Sequence, residues 1–171
     1  MNMACIRISI LLFLIPLSFS SCKVNYSMTG ASIAPDIKTI AVKYFPKTAP
    51  LGPSTLSQSF TEKLKDKFLT QTNLSIVNGA ADLIMEGSIV SYAITPQAIQ
   101  TNEIAAKNRL TISVTAKFTN TKDEKQNFES TFVRYSDYDS NQNIASVEDQ
   151  LIDDIFTQII DDIFNKAVIN W

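Results

Sequence analysis

The chain of 171 residues has no histidine, two cysteines and only four glycines. Without imidazole there are no His-ligated zinc centres, no Ser-His-Asp triads and no Cys-His dyads. Four glycines cannot supply phosphate-cradling loops, and neither G-x-x-x-x-G-K-[ST] nor G-x-G-x-x-G occurs. Strong net charge is missing too. Fifteen Lys and Arg against 17 Asp and Glu leave −2, with no basic block to serve as a nucleic-acid footprint. The apolar stretch from Ile8 to Phe19 is broken by Ser9, Pro16 and Ser18 and falls short of the ~20 residues a bilayer span needs. Carboxylates are present, but Asp153-Asp154 and Asp161-Asp162 are sequence neighbours, so each pair diverges by about 100° on a helix. The expectation is a solvated acidic face, no enzyme, no metal and no cofactor.

The short apolar stretch fits an export leader. Arg7 supplies the basic start, the apolar run follows, and small Ser20 and Ser21 stand directly before Cys22. This layout predicts a lipoprotein signal peptide over residues 1–21, cut before a Cys22 that carries diacylglycerol and acyl chains such as palmitate. Phe19 stands where the usual lipobox has Leu. Cys5 would leave with the leader, so the mature chain would hold one thiol, and acylation would consume it in an oxidising compartment. Two or three chains anchor stably where one does not. Residues 22–34 then read as a lipidated tether and residues 35–171 as one folded domain. Lys23 is not the Asp of inner-membrane retention, and Val24 and Asn25 are not acidic. These residues predict an outer-membrane anchor with the domain facing the periplasm.

Ile37 to Phe45 alternates as a strand, closed by Pro46 and Pro50. Leu56, Phe60, Leu64 and Phe68 then recur every four residues, a helix for which Ser54 is the expected cap and Lys65 and Lys67 the cations near its end. Leu74 to Val77 reads as a short strand and Ala81 to Thr95 as a long one, with Gly87 placed for a bulge or bend. A long polar connection spans Pro96 to Asn108. In "RLTISVTAKFT" the residues Leu110, Ile112, Val114, Ala116 and Phe118 face one way, and Thr111, Ser113, Thr115, Lys117 and Thr119 the other. "NFESTFVRYSDYD" returns as the second arm of a hairpin. The last segment repeats apolar doublets every four residues from Leu151/Ile152 to Ala167/Val168, with Ser146 and Asp149 spaced like a capping box. The expected fold is α+β: a two-layer sandwich of a mostly antiparallel four-stranded sheet with two helices on one face.

Asp137, Asp139, Asn141, Asn143 and Glu148 occupy positions 1, 3, 5, 7 and 12 of an EF-hand-like loop. Gln142 stands where that loop needs glycine, and a strand leads in, so no calcium site is assigned. The remaining candidates are surfaces. Thr111, Ser113, Thr115, Lys117 and Arg134 form an expected uncovered polar face, and Lys107 and Arg109 end the long loop. Lys107, Arg109, Lys117 and Arg134 are therefore the candidate ligand or partner residues.

Taken together, "SIAPDIKTIAVKYFPKTAPLGPSTLSQSFTEKLKDKFLTQTNLSIV", "EGSIVSYAITPQAIQTNEIAAKNRLTISVTAKFTN", "FVRYSDYDS" and "SVEDQLIDDIFTQIIDDIFNKAVINW" resemble the LptE family of lipopolysaccharide-assembly lipoproteins in its Bacteroidetes form. The resemblance implies a non-enzymatic, lipid-anchored plug and partner of the outer-membrane β-barrel LptD, acting in lipopolysaccharide transport, with four strands packed on two helices. The other reading is a periplasmic lipid- or peptide-binding module unrelated to a barrel, for which an enclosed apolar pocket is expected.

Overall fold

The computed structural model describes residues 33–97 and 106–168, so Cys22 and most of the expected tether lie outside the described residues. The chain order is β1 (Thr39–Val42), α1 (Leu56–Gln71), β2 (Ser75–Ile76), β3 (Leu83–Gln97), β4 (Lys107–Asn120), β5 (Phe128–Asp139) and α2 (Ile144–Val168). A single 3-10 turn, Glu124–Gln126, joins β4 to β5.

The sheet has five strands in the order β2-β1-β3-β4-β5. It is mixed, with its two long ladders antiparallel and its short ones parallel. β1 pairs in parallel with both β2 and β3, while β3–β4 and β4–β5 are antiparallel. The expected four strands become five because β2, two residues long, holds the edge beside β1 through bonds such as Val77 N–H to the Ile40 carbonyl at 3.0 Å. The β1-α1-β2 crossover is what makes that pairing parallel.

Both helices cover one face. Ten residues of α2, from Leu151 and Ile152 to Ala167 and Val168, are buried, which accounts for every expected doublet. Each such Ile, Leu or Phe contributes about 1.5–3 kcal/mol on full burial. Phe60 lies at the centre, 5.2 Å from the Phe45 ring and 5.0 Å from Phe156, and Phe68 meets Phe164 at 5.3 Å. Lys63 bonds Asp153 at 2.6 Å and Lys67 bonds Asp161 at 2.7 Å, so partner numbers rise together and the helices run parallel. Their N-termini lie at the same end of the sheet, beyond the C-terminal ends of β1 and β5.

Local chemistry differs from expectation at both helix starts. α1 begins after Thr55 with no side-chain cap, so Ser54 does not cap it, and no cation lies in its last turn. At α2 the cap is Asn143, whose Oδ1 accepts from Ala145 N–H at 3.0 Å; Ser146 Oγ instead donates to the Asn143 carbonyl at 2.7 Å. The strands reach further than expected too, since β3 runs through Gln97 and β4 starts at Lys107. The bulge falls between Ile89 and Ser91, not at Gly87. Gly87 serves close approach: an added Cβ would lie 2.1 Å from the Thr115 carbonyl oxygen and 2.6 Å from Phe45. Gly52 is the glycine with a left-handed backbone, at φ 92°, where the loop turns over Tyr92 into α1.

Candidate functional site

The helix-free face of the sheet is where the polar alternation points. Its central column is Thr111, Ser113, Thr115 and Lys117 on β4. In register beside them stand Ala93, Ser91, Ser88 and Glu86 on β3, and Tyr135, Val133, Thr131 and Glu129 on β5. Hydroxyls dominate, with Thr115 and Thr131 sharing a 2.9 Å hydrogen bond. Apolar groups interrupt them, since Val133 and Tyr135 are 50% and 51% exposed and Val90, the bulge residue, is 38% exposed.

The four candidate cations do not form one cluster. Arg109 makes a bidentate pair with Asp137, Nε to Oδ1 at 2.7 Å and an η-nitrogen to Oδ2 at 2.8 Å. Its guanidinium also lies 3.6 Å from the centre of the Tyr135 ring. The hydrogen bond from Arg109 holds the Asp137 carboxyl below its ordinary value, with the charges of Arg109 and Lys107 adding to it. Lys107 opens β4, in register with Asp139, and is the one of the four with no carboxylate in salt-bridge reach among the described residues. Lys117 is eight residues beyond Arg109 along β4, roughly 27 Å away, and its Nζ is 3.1 Å from Glu86.

Arg134 corrects the sequence reading. It pairs in register with buried Ile112, which puts it on the helix side, and it bonds Asp162 of α2 at 2.7 Å. The alternation of Phe128 and Phe132 on its own strand is the signal that assigns it to that face. The acidic residues of α2 are likewise not a free solvated face, because Asp153, Asp161 and Asp162 are bonded to Lys63, Lys67 and Arg134.

The EF-hand-like residues separate. Asp137 is held by Arg109 on the open face and Asn143 caps α2, while Glu148 accepts from the buried Tyr92 hydroxyl on the helix face. Burial, and then that bond, push the Tyr92 hydroxyl well above its ordinary pKa. Neither this latch nor Asp82 was legible in the sequence. Asp82 Oδ2 accepts from the Lys38 and Thr39 amides at 3.0 and 3.1 Å and from Thr39 Oγ1 at 2.9 Å. These bonds, led by the Lys38 amide, hold its pKa at about 2. They tie the start of β1 to the start of β3.

A cleft of about 330 Å³ lies over Tyr138, Val147 and Leu151 near the start of α2, and one of about 450 Å³ runs between β5 and α2; both open to solvent. No helix among the described residues is long and apolar enough to cross a membrane, which says nothing about β-barrels.

Solved structures with this fold include protein XCC0632 from Xanthomonas campestris, with a TM-score of 0.54, 12% identity and coverage of 81% of this chain and 91% of that one. PelC from Paraburkholderia phytofirmans, crystallised as a dodecamer, gives a TM-score of 0.50 at 10% identity, covering 81% and 94%. A minor lipoprotein from Acinetobacter baumannii gives 0.47 at 16%, covering 77% and 96%. No curated protein sequence matches the chain. The lipopolysaccharide-assembly family model matches residues 37–167, from two residues before β1 almost to the end of α2. The chain therefore belongs to the LptE family of lipopolysaccharide-assembly lipoproteins, and its role is not enzymatic.

Proposed function

We propose that this protein is the lipid-anchored partner of an LptD-type outer-membrane β-barrel and assists lipopolysaccharide transport through it. The match of residues 37–167 to the LptE family carries the reading. The leader of residues 1–21 is removed, Cys22 takes the lipid, residues 22–34 form the tether and residues 35–171 the domain. The anchor lies in the outer membrane, and the domain faces the periplasm or sits inside the barrel. The open face supports a plug role, because hydroxyl-rich Thr111, Ser113 and Thr115 suit the polar lumen of a barrel. Lys107 and Arg109 at one end and Lys117 at the other are the residues offered to lipopolysaccharide phosphates or to the barrel. Arg109 and Lys117 would exchange Asp137 and Glu86 for that partner, whereas Lys107 is available directly. Arg134 would act at the β5–α2 margin, where it is already paired with Asp162.

The test is purification of the tagged chain from outer membranes. A large β-barrel recovered in stoichiometric amount is expected, and lipopolysaccharide should crosslink to a photoreactive residue at Lys107. Recovery of the chain alone under conditions that keep barrels intact would refute the partnership. Cys22→Ala should abolish acyl labelling and weaken membrane retention; unchanged acyl labelling would refute the anchor.

A further inference from the structure

Among the described residues the outermost strand β5 has one unpaired edge. It is 12 residues long, and among the described residues it pairs only with β4. Long edges are ordinarily blunted by proline, bulges or inward charges. β5 has no proline or glycine, and its pairing with β4 shows no register shift. Its one charge on the helix side, Arg134, is neutralised by Asp162. The edge borders the 450 Å³ cleft, with Thr131, Phe132 and Val133 on one side and Asn165 and Lys166 of α2 on the other. Lys166 Nζ donates to Ser130 Oγ at 2.6 Å and stands 4.9 Å from the centre of the Phe128 ring, with no carboxylate in salt-bridge reach among the described residues.

A second copy is a poor occupant. Antiparallel pairing of identical strands keeps faces matched only when opposed residue numbers sum to an even total. The two registers of greatest overlap centre on Val133 and Arg134. The first sets Glu129 against Asp137 twice, and the second sets Glu129 against Asp139 twice. Like charges directly opposite are unfavourable.

We infer that β5 accepts a strand from a different protein, one that places an acidic side chain beside Lys166 and apolar side chains over Phe132. Main-chain bonds to the open edge supply affinity, and the cleft between strand and helix selects the side chains. This surface is independent of the barrel reading and of the open face.

The probes are labelled nine-residue peptides of alternating Val and Thr with a central Glu or Lys, titrated against the full-length chain in detergent by fluorescence anisotropy. The Glu peptide should bind, and photocrosslinks from its centre should map to β5 and the second half of α2. N-methylation of alternate amides should abolish binding in one frame and spare it in the other, because only one peptide edge meets β5. Lys166→Glu should weaken the Glu peptide roughly five- to tenfold and favour the Lys peptide. Binding that survives both N-methylation frames, crosslinks on Thr111 or Ser113, or no binding at millimolar peptide would each overturn the proposal. A concentration-dependent dimer that buries β5 would also overturn it, in favour of a second copy.

Discussion

Gly87→Ala separates two reasons for a glycine in the middle of a strand. The ideal Cβ would sit 2.1 Å from the Thr115 carbonyl oxygen, a backbone atom of β4, and 2.6 Å from Phe45 Cε1. A carbon–oxygen contact of about 3.3 Å would require β3 and β4 to part by roughly 1 Å. Overpacking of this kind costs about 1–3 kcal/mol, and a rigid carbonyl sets it near the upper end. One weakened ladder bond adds about 1 kcal/mol, while the stiffer unfolded chain returns about 0.4–1 kcal/mol. The net expectation is a loss of about 3 kcal/mol, seen as a fall of roughly 6–12 °C in Tm by circular dichroism and a matching drop in the urea midpoint. Gly87→Asn should be worse than Ala, because Gly87 is not in the left-handed region where Asn is tolerated. Adding Phe45→Leu should not rescue Ala, because the carbonyl clash remains. A loss below about 1 kcal/mol, or Asn tolerated better than Ala, would refute close approach as the reason for this glycine.

The Asp82 carboxyl titrates at about 2 when folded against 3.8 unfolded, so its contribution is complete above pH 3.8 and lost as pH falls toward 2. Asp82→Asn should therefore flatten the acid limb of a plot of urea midpoint against pH; an unchanged limb would rule out this latch. Tyr92→Phe removes the hydroxyl donor to Glu148 and should cost about 1–2 kcal/mol in equilibrium urea unfolding. The double change Lys63→Ala/Lys67→Ala breaks both inter-helix ion pairs, which are partly exposed, and should cost less than about 1 kcal/mol per pair in thermal unfolding, with the difference shrinking in 1 M salt.

Legibility followed the reach of the forces involved. The alternation of Leu110 to Phe118 and the doublets of α2 report a buried side at single-residue spacing, and both segments bury those residues. The mixed sheet was harder, because β2 is two residues long and its pairing with β1 is decided by the α1 crossover rather than by its own sequence. Polarity groups Arg134 with Thr111 and Lys117, yet strand parity with Phe128 and Phe132 puts it on the helix side. Gly87 failed differently. A glycine between apolar residues signals a special backbone, but only the neighbouring strand says whether a turn or a contact is at stake. Of the candidate site, the hydroxyl column of β4 was readable, whereas the carboxylates that neutralise Arg109 and Lys117 come from β5 and β3 and were not.

The distribution of buried side chains separates what folds the domain from what is left to meet a partner. Phe45, Phe60, Phe156 and the other large buried groups lie on the helix side of the sheet, and the ion pairs of Lys63, Lys67 and Arg134 edge that same layer. On the open face Val133 and Tyr135 remain half exposed, so folding recovers only about half of their transfer free energy. Tyr135 does have a local role, since its ring carries the Arg109 guanidinium that is clamped to Asp137. Val133 makes no such contact among the described residues. Val133→Thr, which keeps a β-branched side chain, should therefore shift the urea midpoint by less than the equivalent of about 0.5 kcal/mol, while any binding by the open face or the β5 edge should respond to it. A loss of stability above about 1.5 kcal/mol would mean that the open face is part of the folding core after all, and its exposure could no longer be assigned to a partner.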